Sequence, residues 1–450
     1  MYPSRKPTRA LTTAVASFAT ASLLVAGASA SASATGAGTG ATGTGTAATV
    51  ERTPLGGGCF GLVGQTDEQD RASRDEPLAI LARSGGRERV NRFARALCHS
   101  RPGHGTARLV DRHGHGLWRW ATARAQGRIP VRGSLPGGDD RPLYWARVEM
   151  TRLLTLWTPR GGVSDATRER LLERLETVSR GQDTIRRHRA DSRRTAQVVV
   201  TGFDPFTLDQ DTRIGNPSGA VALALDGRRF RTAKGWVRIE TAMFPVRWDD
   251  FTDGEVERTL APHVRRGAKA LTGLFTVSQG RPDQFDLEVW NGANRGGFAD
   301  NENLERTGMI AIPDDFPTVT PQPQFTRSDL PARAMKRADT GAYKVKINHE
   351  ITERDPDTGE ERTTSDGPTP GFEAVSGGPG DYLSNEIAYR ATLLRDAKDA
   401  GNVGGHVHTP VLGVPRGKAI TDAGFESRRD AMVAQTKALV LKGAVVAARR

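Results

Sequence analysis

The period of the apolar residues changes near residue 195. Before it, apolar side chains recur at helical spacing; after it, short β-branched runs alternate with helical stretches. Ala196-Gln197-Val198-Val199-Val200-Thr201 is the first such run, with the near-continuous apolar character of a strand buried on both faces. It opens into a turn, Gly202-Phe203-Asp204-Pro205-Phe206. Asn216-Pro217-Ser218 then starts a helix through Ala220, Val221, Leu223 and Leu225. Val237–Phe244 and Ala270–Val277 read as further strands, with a helix through Val256, Leu260 and Val264 between them. This alternation predicts an α/β domain over residues 196–450, with a mainly parallel sheet flanked by helices. Ligands in such sheets sit beyond the carboxyl ends of the strands. The Gly202 turn, the Ser278-Gln279-Gly280 turn and the Gly377 loop are therefore the expected site-forming loops.

The first half is organised differently. Residues 1–34 read as a secretory leader: Arg5, Lys6 and Arg9, an uncharged stretch from Leu11 to Gly27, and small residues from Ala28 onward. No later stretch is apolar enough to span a bilayer, so the mature protein is expected to be exported and free of the membrane. Residues 35–50 are Gly/Thr/Ala repeats, a flexible linker. Residues 51–180 read as a mostly helical domain. Glu76–Cys98 is broken at Gly85-Gly86, Leu143–Trp157 is apolar at helical spacing, and Ser164 caps a helix ending at Gly181. Trp118, Trp120, Trp145 and Trp157 read as core or interface. Residues 181–195 form a polar, basic linker.

The chain has two cysteines, Cys59 and Cys98. In an oxidising compartment an even count favours one disulfide, here closing a loop of about 40 residues and contributing roughly 3–4 kcal/mol. Two free thiols are the alternative. Lys and Arg number 64 against 52 Asp and Glu, a net charge of +12 that comes mostly from arginine. An exported chain this basic is suited to adhere to anionic cell-wall polymers. No nucleic-acid motif is present, and no basic stripe interleaved with aromatics, so nucleic acid is not expected as a partner.

The loop Gly377-Gly378-Pro379-Gly380-Asp381-Tyr382-Leu383-Ser384-Asn385 runs into a helical pattern. Taken alone, Ser384 reads as an N-cap. Glu288 reads as a solvated strand-edge carboxylate. His406 and His408 share a strand face, with no third ligand at a metal-binding spacing, so neither a metal nor a cofactor is expected.

Read together, six stretches resemble pyroglutamyl peptidase type I, in that family's order. They are Thr201-Gly202-Phe203-Asp204-Pro205-Phe206 with Asn216-Pro217-Ser218; Phe244-Pro245-Val246; Gln279-Gly280-Arg281 through Glu288 to Asp300-Asn301; Leu330-Pro331; Gly380 to Asn385; and Gly405-His406-Val407-His408-Thr409-Pro410. The resemblance covers about residues 196–415. It implies a three-layer sandwich that removes N-terminal pyroglutamate from peptides. Glu288 and His408 match the catalytic Glu and His. Phe203 and Phe206 match aromatics that hold the pyroglutamyl ring, and Gln279, Tyr382 and Leu383 fall in substrate-binding stretches. Ser384 stands where that family has its catalytic cysteine, and no cysteine follows Cys98. A hydroxyl is not pre-ionised as a thiol is and needs a general base at the moment of attack. A serine version of the site or a non-catalytic binding module that keeps the fold and pocket are the two expectations. Residues 337–370 read as an insertion, with Lys344–Asn348 and the run after Asp355–Gly359 as arms of a hairpin over the pocket mouth.

Overall fold

The computed structural model describes residues 58–61, 64–186, 195–233, 235–267, 270–338 and 340–448. The expected leader (1–34) and linker (35–50) lie outside the described residues, as does 187–194 of the basic linker. No helix among the described residues is long and apolar enough to cross a membrane.

Among the described residues of the first half lie six helices: α1 (Asp67–Arg71), α2 (Asp75–Ala82), α3 (Gly86–Cys98), α4 (His104–Ala125), α5 (Arg141–Leu156) and α6 (Asp165–Ser179). The break at Gly85 is real: its φ of 81° is a left-handed value that glycine adopts without strain. Helix α4 has no clear apolar stripe in sequence, because Gly105, Gly114 and Gly116 interrupt it. Gly114 has a packing role. A Cβ there would lie 2.2 Å from Val178 of α6, so its absence lets the two helices approach closely. All four tryptophans, Trp118, Trp120, Trp145 and Trp157, are buried in one cluster with Phe93, Leu117 and Leu175. A disulfide joins Cys59 to Cys98, with 5.5 Å between Cα atoms.

The second half runs β1 (Thr195–Phe203), α7 (Pro217–Leu225), β2 (Arg228–Thr232), β3 (Gly235–Phe244), α8 (Trp248–Thr252), α9 (Glu255–Leu260), β4 (Gly273–Gln279) and β5 (Gln284–Glu288). Short strands follow: β6 (Trp290–Gly292), β7 (Asn294–Gly296), β8 (Thr307–Met309) and β9 (Phe325–Arg327). Then come α10 (Ala332–Lys336), β10 (Lys344–Asn348), β11 (Ile351–Arg354), β12 (Glu361–Thr364), β13 (Glu373–Ser376), α11 (Leu383–Ala397), β14 (Val403–Thr409) and α12 (Ala423–Ala447). The main sheet has seven strands in the order β10-β5-β14-β4-β1-β3-β2. Its centre, β14, β4, β1 and β3, is parallel; β5 is antiparallel to β14, and β2 to β3.

Strand β1 is buried along its whole length. Alternate residues feed opposite layers. Val199 and Phe203 pack with Val256, Leu260, Leu383 and Ile387 of α9 and α11. Val198 and Val200 pack with Val221, Leu439 and Val440 of α7 and α12. The result is the expected three-layer α/β architecture.

The hairpin is shifted from its expected place. It forms between β11 and β12, with Asp355–Glu360 as the turn. Lys344–Asn348 instead joins the main sheet as β10, parallel to β5, where Val345 packs on the cluster of Phe285 and Leu287. An exposed edge with apolar neighbours outcompeted the local turn for this strand.

The two halves share buried groups. Ala222, Leu223 and Met243 of the α/β half belong to the helical half's apolar cluster. Asp204, in the turn after β1, has no solvent exposure. It accepts from Arg147 Nη2 of α5 at 2.5 Å, and from Arg180 Nε and Nη2 at 3.0 and 2.8 Å. Arg180 also bonds Glu176, which bonds Arg247, which bonds Glu68 and Asp250. Burial pushes the Glu176 carboxyl up, but Arg180, Arg247 and Arg147 outweigh it and hold it at about 2. A buried charge that loses its partner is strongly destabilising. Asp204→Ala is therefore expected to lower the free energy of unfolding by about 3–5 kcal/mol in urea titration. A loss under about 1 kcal/mol would mean that water replaces the carboxylate at little cost.

Candidate active site

The site lies where β4, β14 and α11 meet, at the carboxyl ends of the parallel strands. Strand β14 presents His406 and His408 on one face. Its neighbour β5 runs the other way, with Val407 facing Leu287 and His408 facing Asp286. In an antiparallel pair, facing residues share a side of the sheet, and so do residues two apart along a strand. Glu288 is thus on the same face as His408 and diagonal to it. His408 Nδ1 and Glu288 Oε1 are 2.8 Å apart. Glu288 is 1% exposed, buried rather than the solvated edge group its local sequence suggests. Where the carboxylate is ionised it can only accept, so Nδ1 then carries the hydrogen and a neutral ring keeps its lone pair on Nε2.

His406 does something else. Its Nδ1 lies 2.9 Å from Thr276 Oγ1 and its Nε2 2.8 Å from Ser278 Oγ. Burial, then the neighbouring His408, hold its pKa well below the usual histidine value. Both its ring nitrogens are engaged by hydroxyls, and it meets the His408 ring edge-on at 4.6 Å. Among the described residues no group of three or more His, Cys, Asp or Glu could hold a metal ion.

Ser384 is not the N-cap. Tyr382 caps α11 in an extended conformation, and Ser384 is the second residue of the helix. Its hydroxyl donates to Pro379 O at 3.0 Å. The loop before it is closed by paired bonds between Gly377 and Gly380 at 2.8 and 2.9 Å, with Gly380 at φ 89°. Asn385 ties the helix start to β6 through Gly292, donating at 2.7 Å and accepting at 2.9 Å. The first N–H groups of a helix have no carbonyl one turn back and carry partial positive charge. Those of Leu383 and Ser384 occupy that position. Ser384 and His408 line one cavity of about 260 Å³, together with Gln279, Arg281 and Glu350.

The remaining expected residues divide. Gln279 lines the cavity, and its Oε1 accepts from Leu412 N at 3.0 Å. Phe206 and Tyr382 are half-buried with ring centroids 6.4 Å apart. Tyr382 also meets Trp248 at 5.2 Å and Phe298 at 5.0 Å, and its hydroxyl donates to Ala299 O. These four rings form one aromatic cluster, and none of them lines the cavity that Ser384 and His408 share. Phe203 and Leu383 belong to the core: Phe203 packs on Phe244 and Phe251, and Leu383 is 1% exposed. The Asn216-Pro217-Ser218 motif is structural. Asn216 caps α7, and Ser218 Oγ accepts from Phe203 N at 3.0 Å. A Cβ on Gly202 would lie 2.3 Å from Ser218 O, which is why that turn needs glycine. Trp248, Phe298 and Asn348 were not singled out by sequence; the first two follow Pro245-Val246 and precede Asp300-Asn301, so proximity to those motifs was the available signal.

A larger cavity, about 1110 Å³, lies between the helices and the α8–α9 region and includes neither Ser384 nor His408. Glu255 lines it, and burial, then Asp250, push its carboxyl up to about 8. A carboxyl raised in the folded state binds its proton more tightly there than when unfolded. Its contribution to stability is complete below the unfolded value and is lost as pH rises toward 8. Glu255→Gln removes that loss. Urea unfolding at pH 5 and pH 8 is expected to show the wild type losing on the order of 2 kcal/mol more than the variant between the two. Parallel pH dependence would contradict it.

The family model of the PA0049 N-terminal domain matches residues 51–176, and that of the PA0049 C-terminal domain matches residues 197–321 and 343–413. The chain is 36% identical over 454 aligned positions to the uncharacterized protein PA0049 of Pseudomonas aeruginosa, covering 80% of each chain. Among solved structures it is similar to pyroglutamyl peptidase I of Bacillus amyloliquefaciens, at 16% identity and a TM-score of 0.38 over 56% of this chain and 96% of that one. It is also similar to the pyrrolidone carboxyl peptidase of Thermococcus litoralis, at 17% identity and a TM-score of 0.35 over 54% and 93%. At these identities and scores the two likenesses say nothing of the chemistry of the site.

Proposed function

This chain belongs to the PA0049 family, and we propose that it is an exported hydrolase removing N-terminal pyroglutamate from peptides, with Ser384 as nucleophile, His408 as general base and Glu288 as the group that orients His408. The observation that carries this reading is the 2.8 Å bond between His408 Nδ1 and Glu288 Oε1, on a cavity that also holds Ser384. The order of the sequence motifs supports the substrate class.

In this reading Ser384 Oγ attacks the acyl carbon while His408 Nε2 takes its proton. Glu288 stabilises the imidazolium that forms. The N–H groups at the start of α11 meet the developing oxyanion. His408 then gives its proton to the leaving amine, and water, deprotonated by the same nitrogen, releases the acyl group. The Ser384 hydroxyl must first leave Pro379 O, which costs about 1 kcal/mol for one neutral hydrogen bond. The disulfide fits an oxidising compartment, as export requires. The net charge of +12, or +9 once Arg5, Lys6 and Arg9 leave with the leader (12 less 3), suits retention on anionic wall polymers.

A second reading, a binding protein without turnover, is favoured by one observation: the Ser384 hydroxyl is bonded to Pro379 O rather than to His408. A fluorogenic pyroglutamyl amide separates the two. Wild-type turnover that falls by roughly 10³-fold or more in Ser384→Ala is the expected result. Wild-type protein no faster than Ser384→Ala, with pyroglutamyl ligands still bound, selects the second reading. In that case a large gain in Ser384→Cys would identify the site as one whose nucleophile has been retired.

A further inference from the structure

Asn348 ends β10, and its register partner on β5 is Glu288. Its side chain is fully buried. Nδ2 donates to Glu288 Oε2 at 2.7 Å and to Gly378 O at 3.2 Å. The two carboxylate oxygens of Glu288 are therefore divided: Oε1 serves His408 and Oε2 serves Asn348. The terminal torsion of a glutamate is broad, so a single partner would leave the carboxylate plane free to turn. Asn348 removes that freedom. It does so with a neutral donor; a cation in the same place would compete with the imidazolium for the carboxylate.

The same amide reaches the nucleophile loop. Gly378 O is its second acceptor, and the next carbonyl, Pro379 O, holds the Ser384 hydroxyl. The approach is possible because residue 378 has no side chain. A Cβ there would lie 2.4 Å from Glu288 Oε2 and 3.4 Å from Asn348 Nδ2.

We infer that Asn348 is a positioning residue, whose amide aims the Glu288 carboxylate at His408 and sets the nucleophile loop at the height that brings Ser384 to the cavity. This rests on reading Ser384, His408 and Glu288 as a hydrolytic set. The charged and titratable groups around His408 are Glu288 and Asp286 on β5, His406 on its own strand, and Arg281 and Glu350 on the shared cavity.

The test uses the full chain and two readouts. The first is the His408 titration followed by NMR of the histidine ring, assigned with His408→Gln. The second is kcat and KM on the fluorogenic pyroglutamyl amide. Glu288→Gln is expected to lower the His408 pKa, because the imidazolium loses its counter-charge. Asn348→Ala is expected to lower it in the same direction, by roughly half a pH unit or more, and to reduce kcat about 10–100-fold with KM changed less than about 3-fold. Asn348→Asp, nearly the same size, places a carboxylate against Glu288. The two would share a proton, adding a further ionisation to the His408 titration. If Asn348→Ala does not fold, Asn348→Asp decides alone. Folded variants with the wild-type His408 titration overturn the inference, whatever their turnover. An inert wild type whose His408 titration still moves in the Asn348 variants upholds the positioning role and sinks the hydrolase reading instead.

Discussion

A carboxylate with no exposure to water has to be paired, and Asp204 finds its partners in the other half of the chain. Arg147 and Arg180 come from the helical half; the turn after β1 supplies the anion. Neither half could bury its share alone without leaving a bare charge in a low dielectric. From this point the network runs outward through Glu176 and Arg247 to Glu68. There it meets Tyr144 at 2.7 Å and Asn301, whose amide also holds Pro205 O at 2.9 Å. Asp300, beside Asn301, accepts from Trp248 N at 2.7 Å, and Trp248 packs on Tyr382. The helices therefore brace the loops that carry the aromatic cluster and, through Tyr382, the start of α11.

The sheet's departure from all-parallel order matters as much. Because β5 runs against β14, Glu288 meets His408 across two adjacent strands instead of reaching over a loop. Groups held on paired strands are placed more firmly than groups on loops. Strand β10 extends the same device by one strand and brings in Asn348. The loop before Ser384 completes the arrangement, built from small residues and closed by two backbone bonds between Gly377 and Gly380. Its glycines are what allow backbone to sit directly on the Glu288–Asn348 pair.

Much of the architecture was legible because it depends on near neighbours. The Val198-Val199-Val200 run reads as a buried strand, and Gly85-Gly86 as a break between helices. The Asn216-Pro217-Ser218 cap reads as a helix start. The cysteine pair also emerged as a disulfide. Helix α4 was not legible, because Gly114 serves a contact with Val178 sixty-four residues later and weakens the local pattern in doing so. The cap reading of Ser384 was off by two positions, since Tyr382, an unusual cap, takes the place a serine would ordinarily hold. The hairpin was misassigned for a related reason: alternation marks a strand but does not name its partner, and β10 found a better one in β5.

Sequence alone therefore determined most element types, the α/β class of the second half and the six motif stretches on which the resemblance rests. Periodicity, turn residues and caps are properties of a few consecutive side chains. Tertiary structure alone decided the geometry of the site. Glu288 lies 120 residues before His408 and 60 before Asn348, and what joins them is strand register. Register is set by which faces are buried across the whole sheet, a long-range packing condition that no local window contains. That the Ser384 hydroxyl donates to Pro379 O is settled in the same way, by the folded loop around it.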